Sequence, residues 1–182
     1  MIDPLLHRAV AVAFALLWGL TAWHKLSARG DFRTALLEYR LLPPVLVPLA
    51  ALLIPAGEAT LGLAWLTGHA SIAAPLSAAL LAVYALAIAI NLGRGRVHMG
   101  CGCGFGRAAG KDLPLSWWLV ARNVLLGGLA LTGALPVADR PIGIYDGLSL
   151  LLMLAAATVL FAGASQLLRN NSAMAAWRTR HD

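Results

Sequence analysis

Cys101 and Cys103 are the only cysteines in the 182-residue chain, and a single glycine separates them. They sit in the run His98-Met99-Gly100-Cys101-Gly102-Cys103-Gly104-Phe105-Gly106. Thiolates attack disulfides and bind soft metals, and the glycines let such a loop bend until the sulfurs meet each other or face a partner. A Cys-x-Cys pair closes only a small, strained ring, and strained disulfides are the labile ones used in exchange rather than as structural cross-links. Arg94, Arg96 and Arg107 flank the pair and favour the thiolate form. The same loop offers a second chemistry, because Cys101, Cys103, His98 and Met99 are the donor types that soft Cu(I) prefers. A closed zinc site would need a fourth good donor, which the neighbourhood lacks. A third reading is non-catalytic: a membrane scaffold that uses the loop as a contact surface.

Other polar residues stand out because of where they lie. Glu58 is an acid within a long apolar run, just after Pro55. An ionisable side chain at the centre of a bilayer costs about 2.5–3.5 kcal/mol on insertion scales, so it must be protonated, paired or solvated. It is a candidate for proton movement or for binding a ligand; the alternative is a neutral carboxyl that fixes helix packing. Asn91, Arg122 and Asn123 lie near the cysteine loop in sequence. Helix rise puts Glu58 about 10 Å deeper than Arg122, which reads better as a loop anchor, or as a side chain reaching the headgroups, than as the partner of Glu58. His24 and Lys25 read as markers of the membrane interface.

The elements that carry these residues follow from hydropathy. The chain is 60% hydrophobic and 12% charged, with a mean hydropathy of +0.77, which identifies a membrane protein. Five stretches approach the roughly 20 apolar residues that a membrane span needs: residues 5–24, 45–65, 72–92, 117–135 and 147–168. Trp23, Trp65, Trp117, Trp118 and Trp177 fall at or beyond their ends, as an aromatic belt requires. Bulky Trp18, Leu20 and Trp23 make the first span a poor signal peptide. Arg29 to Arg40 has the periodicity of a short helix on the membrane surface, which Pro43 and Pro44 end. A Gly68-His69-Ala70-Ser71 turn makes the second and third spans an antiparallel hairpin. Gly57, Gly62, Gly127, Gly128 and Gly163 are the small residues expected at helix contacts. The expectation is an all-α membrane protein: a single domain over residues 1–182, a bundle of four to five transmembrane helices with one interfacial helix and a glycine-rich Cys-x-Cys loop.

The net charge of +6 comes from fourteen Lys and Arg spread over several loops, which argues against nucleic acid and for a topological signal. Alternating spans place Arg8 and Arg140 on one side. Lys25, Arg29, Arg33, Arg40, Arg94, Arg96, Arg107, Lys111, Arg169, Arg178 and Arg180 fall on the other, which puts the cysteine loop in the cytoplasm.

Taken together, Lys25-Leu26, Leu42-Pro43, Glu58, Cys101-Gly102-Cys103, Ser116-Trp117-Trp118 and Arg122-Asn123 resemble the MauE family of methylamine utilisation proteins, within a DoxX-like group of small membrane proteins. The resemblance runs from about Ala9 to Leu131; it departs from the family pattern at Gly104, which separates Cys103 from Phe105. It implies an inner-membrane role in maturing the β (light) subunit of methylamine dehydrogenase, whose disulfides form in the periplasm. It also implies a thioredoxin-like, membrane-anchored partner of the MauD type. Cys101 and Cys103 would then be an exchanging dithiol with thiol–disulfide oxidoreductase activity, supported by Glu58, Arg122, Asn123 and Asn91. The resemblance specifies no cofactor; a quinone as electron acceptor or Cu(I) is chemically compatible with it. It also conflicts with the charge count, because cytoplasmic thiols cannot directly oxidise a periplasmic client.

Overall fold

In a computed structural model, the described residues are 1–96, 115–141, 143, 145–153, 155, 156, 158, 159 and 163. Helix α1 spans Pro4–Ser27. Its start follows from local chemistry: the Asp3 carboxylate accepts the Leu5 N–H at 2.8 Å, and Pro4 occupies a position where no backbone N–H is needed. Helix α2, Arg29–Tyr39, is the expected surface helix and buries only Phe32. Arg40 ends it in the left-handed region, at φ 48°. A 3-10 turn over Pro44–Leu46 leads into α3, Val47–Leu66, which α4, Ala70–Gly93, follows. Helix α5 is Trp117–Thr132.

Two of these helices stop in the same way. After α3, His69 N–H donates to the Ala64 carbonyl at 2.9 Å and Gly68 N–H to that of Trp65 at 3.5 Å. After α4, Arg96 N–H donates to Asn91 at 3.0 Å and Gly95 N–H to Leu92 at 2.9 Å. Both are Schellman closures, which need a left-handed residue that glycine adopts at least cost. Gly68 and Gly95 supply it at φ +83° and +72°.

Helices Pro4–Ser27, Pro44–Leu66 (with its leading turn) and Ala70–Gly93 are long and apolar enough to cross a membrane. Helix α5 is a shorter apolar helix that ends before residue 135, because the chain tightens into turns at Gly133 to Leu135. The outward faces are rich in large apolar side chains, among them Leu16, Leu20, Leu52, Leu63, Leu86 and Leu125. With such exterior faces and a core of small and aromatic residues, the chain is a helical membrane protein. Trp23, Trp117 and Trp118 are exposed as expected of a belt. Trp65 is not a belt residue, since it is only 1% exposed and its ring stacks on Phe14 with centroids 5.2 Å apart. Trp177 lies outside the described residues.

Within residues 1–139, α1 packs mainly on α3 and α4 on α5. Gly62 sets the first approach: a Cβ there would stand 3.3 Å from the Ala15 carbonyl oxygen and from the Gly19 nitrogen of α1. Gly127 faces Ala78 of α4. Among the described residues Gly57 and Gly128 are not contact glycines, because a Cβ at either meets nothing within 4 Å; the neighbours of Gly163 lie outside the described residues. Gly128 differs from buried Gly127 by one residue, a turn of about 100° around the helix, and that rotation faces it outward. The N-terminus is tied to the far end of the unit. Ile2 N–H donates to the Pro136 carbonyl at 3.0 Å, and Ala138 N–H to that of Ile2 at 2.9 Å.

Residues 140–182 form a second unit. Residues 145–153 are helical, and Asp146 steadies their start by accepting the Gly143 N–H at 2.8 Å and pairing with Arg140 at 2.8 Å. The Arg140 guanidinium holds the Asp146 carboxyl below the usual range. The described residues of the expected 147–168 span are helical, and the others in that range lie outside the described residues.

Gly133 gives the sharpest test of this packing, because a Cβ there would overlap the buried ring of Trp65. Gly133→Ala is expected to lower stability in detergent by about 1–3 kcal/mol, whereas Gly128→Ala leaves it unchanged. Thermal unfolding of the two variants checks the contrast.

Candidate functional site

The polar residues inside the bundle are arranged by a seven-residue period. Trp18 and Lys25 on α1, Glu58 and Trp65 on α3, and Ser77 and Tyr84 on α4 are each seven apart. Seven residues are two helical turns, so both members of each pair face the core about 10 Å apart. Two polar layers result. In the first, the Trp18 and Trp65 indole N–H groups both donate to Ser77 Oγ, each at 2.9 Å. One hydroxyl thereby satisfies two buried donors.

The second layer carries charge. Lys25 Nζ pairs with Glu58 Oε1, and Tyr84 OH donates to the same oxygen at 2.7 Å. Lys25 Nζ also lies 3.2 Å from the Tyr84 hydroxyl oxygen. Glu58 is fully buried and Lys25 is 4% exposed. The ammonium stands 4.7 Å from the Tyr84 ring centroid and 5.2 Å from that of Phe32. This explains why Phe32 is the one buried residue of the surface helix: α2 folds back and lays an aromatic face over the cation.

Lys25 is therefore no interface marker. It lies in the interior and is the partner that Glu58 requires, while His24 is half-buried beside it. Tyr84 was not a candidate from the sequence. The signal for both was the seven-residue spacing from Trp18 and Ser77, together with the rule that a buried acid needs a partner.

Helix α5 brings further polar groups to this depth. Ala130 belongs to the core cluster with Trp18 and Trp65, and Asn123, seven residues earlier, is buried on the same face. Because Gly127 faces Ala78 and the helices are antiparallel, Arg122 falls near the level of Val83, one residue from Tyr84 on α4. Arg122 is half-buried. Asn91 is fully buried near the end of α4, where its Nδ2 donates to the Ala87 carbonyl at 3.0 Å. Among the described residues, the buried atoms Glu58 Oε2, Asn91 Oδ1, Arg122 Nε and Asn123 Nδ2 have no hydrogen-bond partner.

Cys101, Cys103, His98 and Met99 lie outside the described residues. The described chain fixes both ends of their segment: the Schellman closure at Gly95 and Arg96 on one side, and buried Leu115 leading into α5 on the other.

The family model for methylamine utilisation protein MauE matches residues 4–136, from the start of α1 past the end of α5. The chain belongs to the MauE family. A family member, methylamine utilization protein MauE of Paracoccus denitrificans, is 35% identical over 169 residues, covering 92% of this chain and 89% of that protein. No solved structure matches. The MauE match takes in every residue of the two polar layers and the cysteine pair, and it ends where the first structural unit ends, near residue 139.

Removing one member of the charged layer strands the other. In this MauE-family bundle, Glu58→Leu should cost about 3–5 kcal/mol by leaving the ammonium unpaired. The double variant Lys25→Met, Glu58→Leu should recover most of that loss. Unfolding of the single and double variants in detergent reads the coupling.

Proposed function

We propose that this chain acts in the inner membrane to mature the light subunit of methylamine dehydrogenase, by thiol–disulfide exchange through Cys101 and Cys103. The observation that carries the reading is that a MauE-family chain holds its only two thiols one residue apart, on the segment joining α4 to α5. A dithiol held this way suits a carrier. Its disulfide takes two electrons from a pair of client thiols: a client thiolate attacks one sulfur, and the second client thiolate resolves the mixed disulfide. The reduced pair then passes the electrons to the disulfide of a thioredoxin-like, membrane-anchored partner by the same two displacements. Arg94, Arg96 and Arg107 favour the attacking thiolate. Glu58, Asn91, Arg122 and Asn123 support the segment from within the bundle.

The charge distribution favours a cytoplasmic loop, while the client's disulfides belong to the periplasm. A relay through the bundle reconciles the two, since irregular backbone is tolerated at membrane depth when protein surrounds it. Replacing both cysteines with serine is expected to abolish disulfide-bonded light subunit without altering the detergent stability of the bundle. Normal light-subunit maturation in that variant would refute the exchange mechanism. Labelling the thiols with a membrane-impermeant maleimide, in intact cells and in opened membranes, locates the side on which they act.

A further inference from the structure

The surface helix α2 separates its charges by flank. With about 100° of rotation per residue, Arg29, Arg33 and Leu37 advance along one flank in steps of four, and Arg40, where the helix ends, adds a third cation to that line. Asp31 and Glu38, seven residues apart, share the opposite flank. Phe32 is buried between the two. No acid stands three or four residues from any of the three arginines, so no pair along the helix neutralises the basic flank. Arg29, Arg33, Leu37 and Arg40 are all exposed. Arg29 is steadied there by its Nε, which donates to the Leu26 carbonyl at 3.2 Å.

Little inside the protein holds this helix. It has 11 residues, short of the length at which a helix is stable by itself in water, and Phe32 is its one buried side chain. It connects the end of α1 to the turn that opens α3, and both of those helices are long and apolar enough to span. Exposed Trp23 precedes it in the chain, and exposed Leu42, Val45 and Leu46 follow it. An aromatic and apolar rim beside a line of arginines is the combination that seats a helix among lipid headgroups.

We propose that the Arg29, Arg33 and Arg40 flank of α2 is a docking surface for anionic phospholipid in the adjoining leaflet. A guanidinium donates paired N–H bonds to phosphate oxygens, and a headgroup with net negative charge adds a Coulombic attraction that a choline headgroup, with its own fixed cation, cancels. Leu37, 43% exposed on the same flank, enters the apolar layer beneath those headgroups. The lipid repels Asp31 and Glu38, so the division of charge fixes the roll of the helix about its axis as well as its depth. That roll turns Phe32 towards the Lys25 ammonium, 5.2 Å from the ring centroid, so lipid bound outside secures the aromatic cover within. The place of α2 between two spans favours lipid over an acidic protein segment as the occupant. Neither a thiol nor a change of protonation takes part, and the surface is independent of the exchange reading.

Native mass spectrometry of the full chain in detergent, titrated with phosphatidylglycerol or with phosphatidylcholine of the same acyl chains, tests the proposal by counting bound lipids. The wild-type chain is expected to prefer phosphatidylglycerol. Each arginine near an anionic surface contributes about fivefold in affinity, so Arg29→Gln with Arg33→Gln is expected to erase most of the preference. Arg33→Gln with Thr34→Arg moves one cation about 100° around the helix at unchanged net charge, and is expected to weaken phosphatidylglycerol binding about fivefold. Equal binding of the two lipids by the wild-type chain, or binding of neither, would overturn the proposal. So would a preference that survives either double variant, because the lipid would then be held by other basic residues or by net charge alone. The substituted positions are exposed, and unfolding in lipid-free detergent checks that the variants fold. Should one not fold, raised salt decides on the wild-type chain: the preference is expected to vanish, and one that ignores salt overturns the proposal.

Discussion

A lysine and a glutamate paired inside an apolar bundle are the constraint around which the rest of the unit is arranged. Neither charge is tolerable alone at that depth, and each fixes the register of the helix that carries it. With Lys25 near the end of α1 and Glu58 in the middle of α3, the pair sets how far the two helices slide past each other. Gly62, about one turn further along α3, then allows their backbones to approach beside Trp18. The hairpin at Gly68 delivers Tyr84 to the same carboxylate oxygen, and Phe32 completes the enclosure from the surface helix. The Trp18–Ser77–Trp65 layer repeats the arrangement with neutral groups two turns away. A polar contact has many wrong registers and few right ones, so two such layers specify alignment in a setting where apolar packing alone discriminates weakly.

Much of the bundle was legible from the sequence, and the parts that were not share a cause. Hydropathy gave the long helices, and the periodicity of Arg29 to Arg40 gave α2, because lipid leaves few ways to satisfy a backbone. Glu58 stood out as an acid in an apolar run. Lys25 did not, since a lysine near a helix end has the same sequence signature whether it reaches for headgroups or turns inward. Trp65 was ambiguous in the same way: tryptophan near a span end suits both a belt and a core. Gly127 and Gly128 show the third form of the problem, for only the rotational phase of α5 separates a contact glycine from an outward one. Each ambiguity is one of facing rather than of position, and facing depends on partners that a single helix does not contain.

Set side by side, the MauE match and the polar layers suggest a division of labour along the chain. Helices α1, α3 and α4 provide an internally paired frame, and the cysteine pair lies on the segment between α4 and α5.

The tie between Ile2 and residues 136–138 bears on how the molecule is built. Ile2 meets its backbone partners only after five helices, α1 to α5, have followed it in the sequence. Asp3 caps α1 locally, but Ile2 before it is paired only by that distant segment, and at the other end of the helix Lys25 pairs with an acid more than thirty positions downstream. The two ends of the 1–139 unit are thus joined by backbone, and that joint is the most sequence-distant pairing among its described residues. Contacts this distant along the chain are the ones that form late and set the pace of assembly.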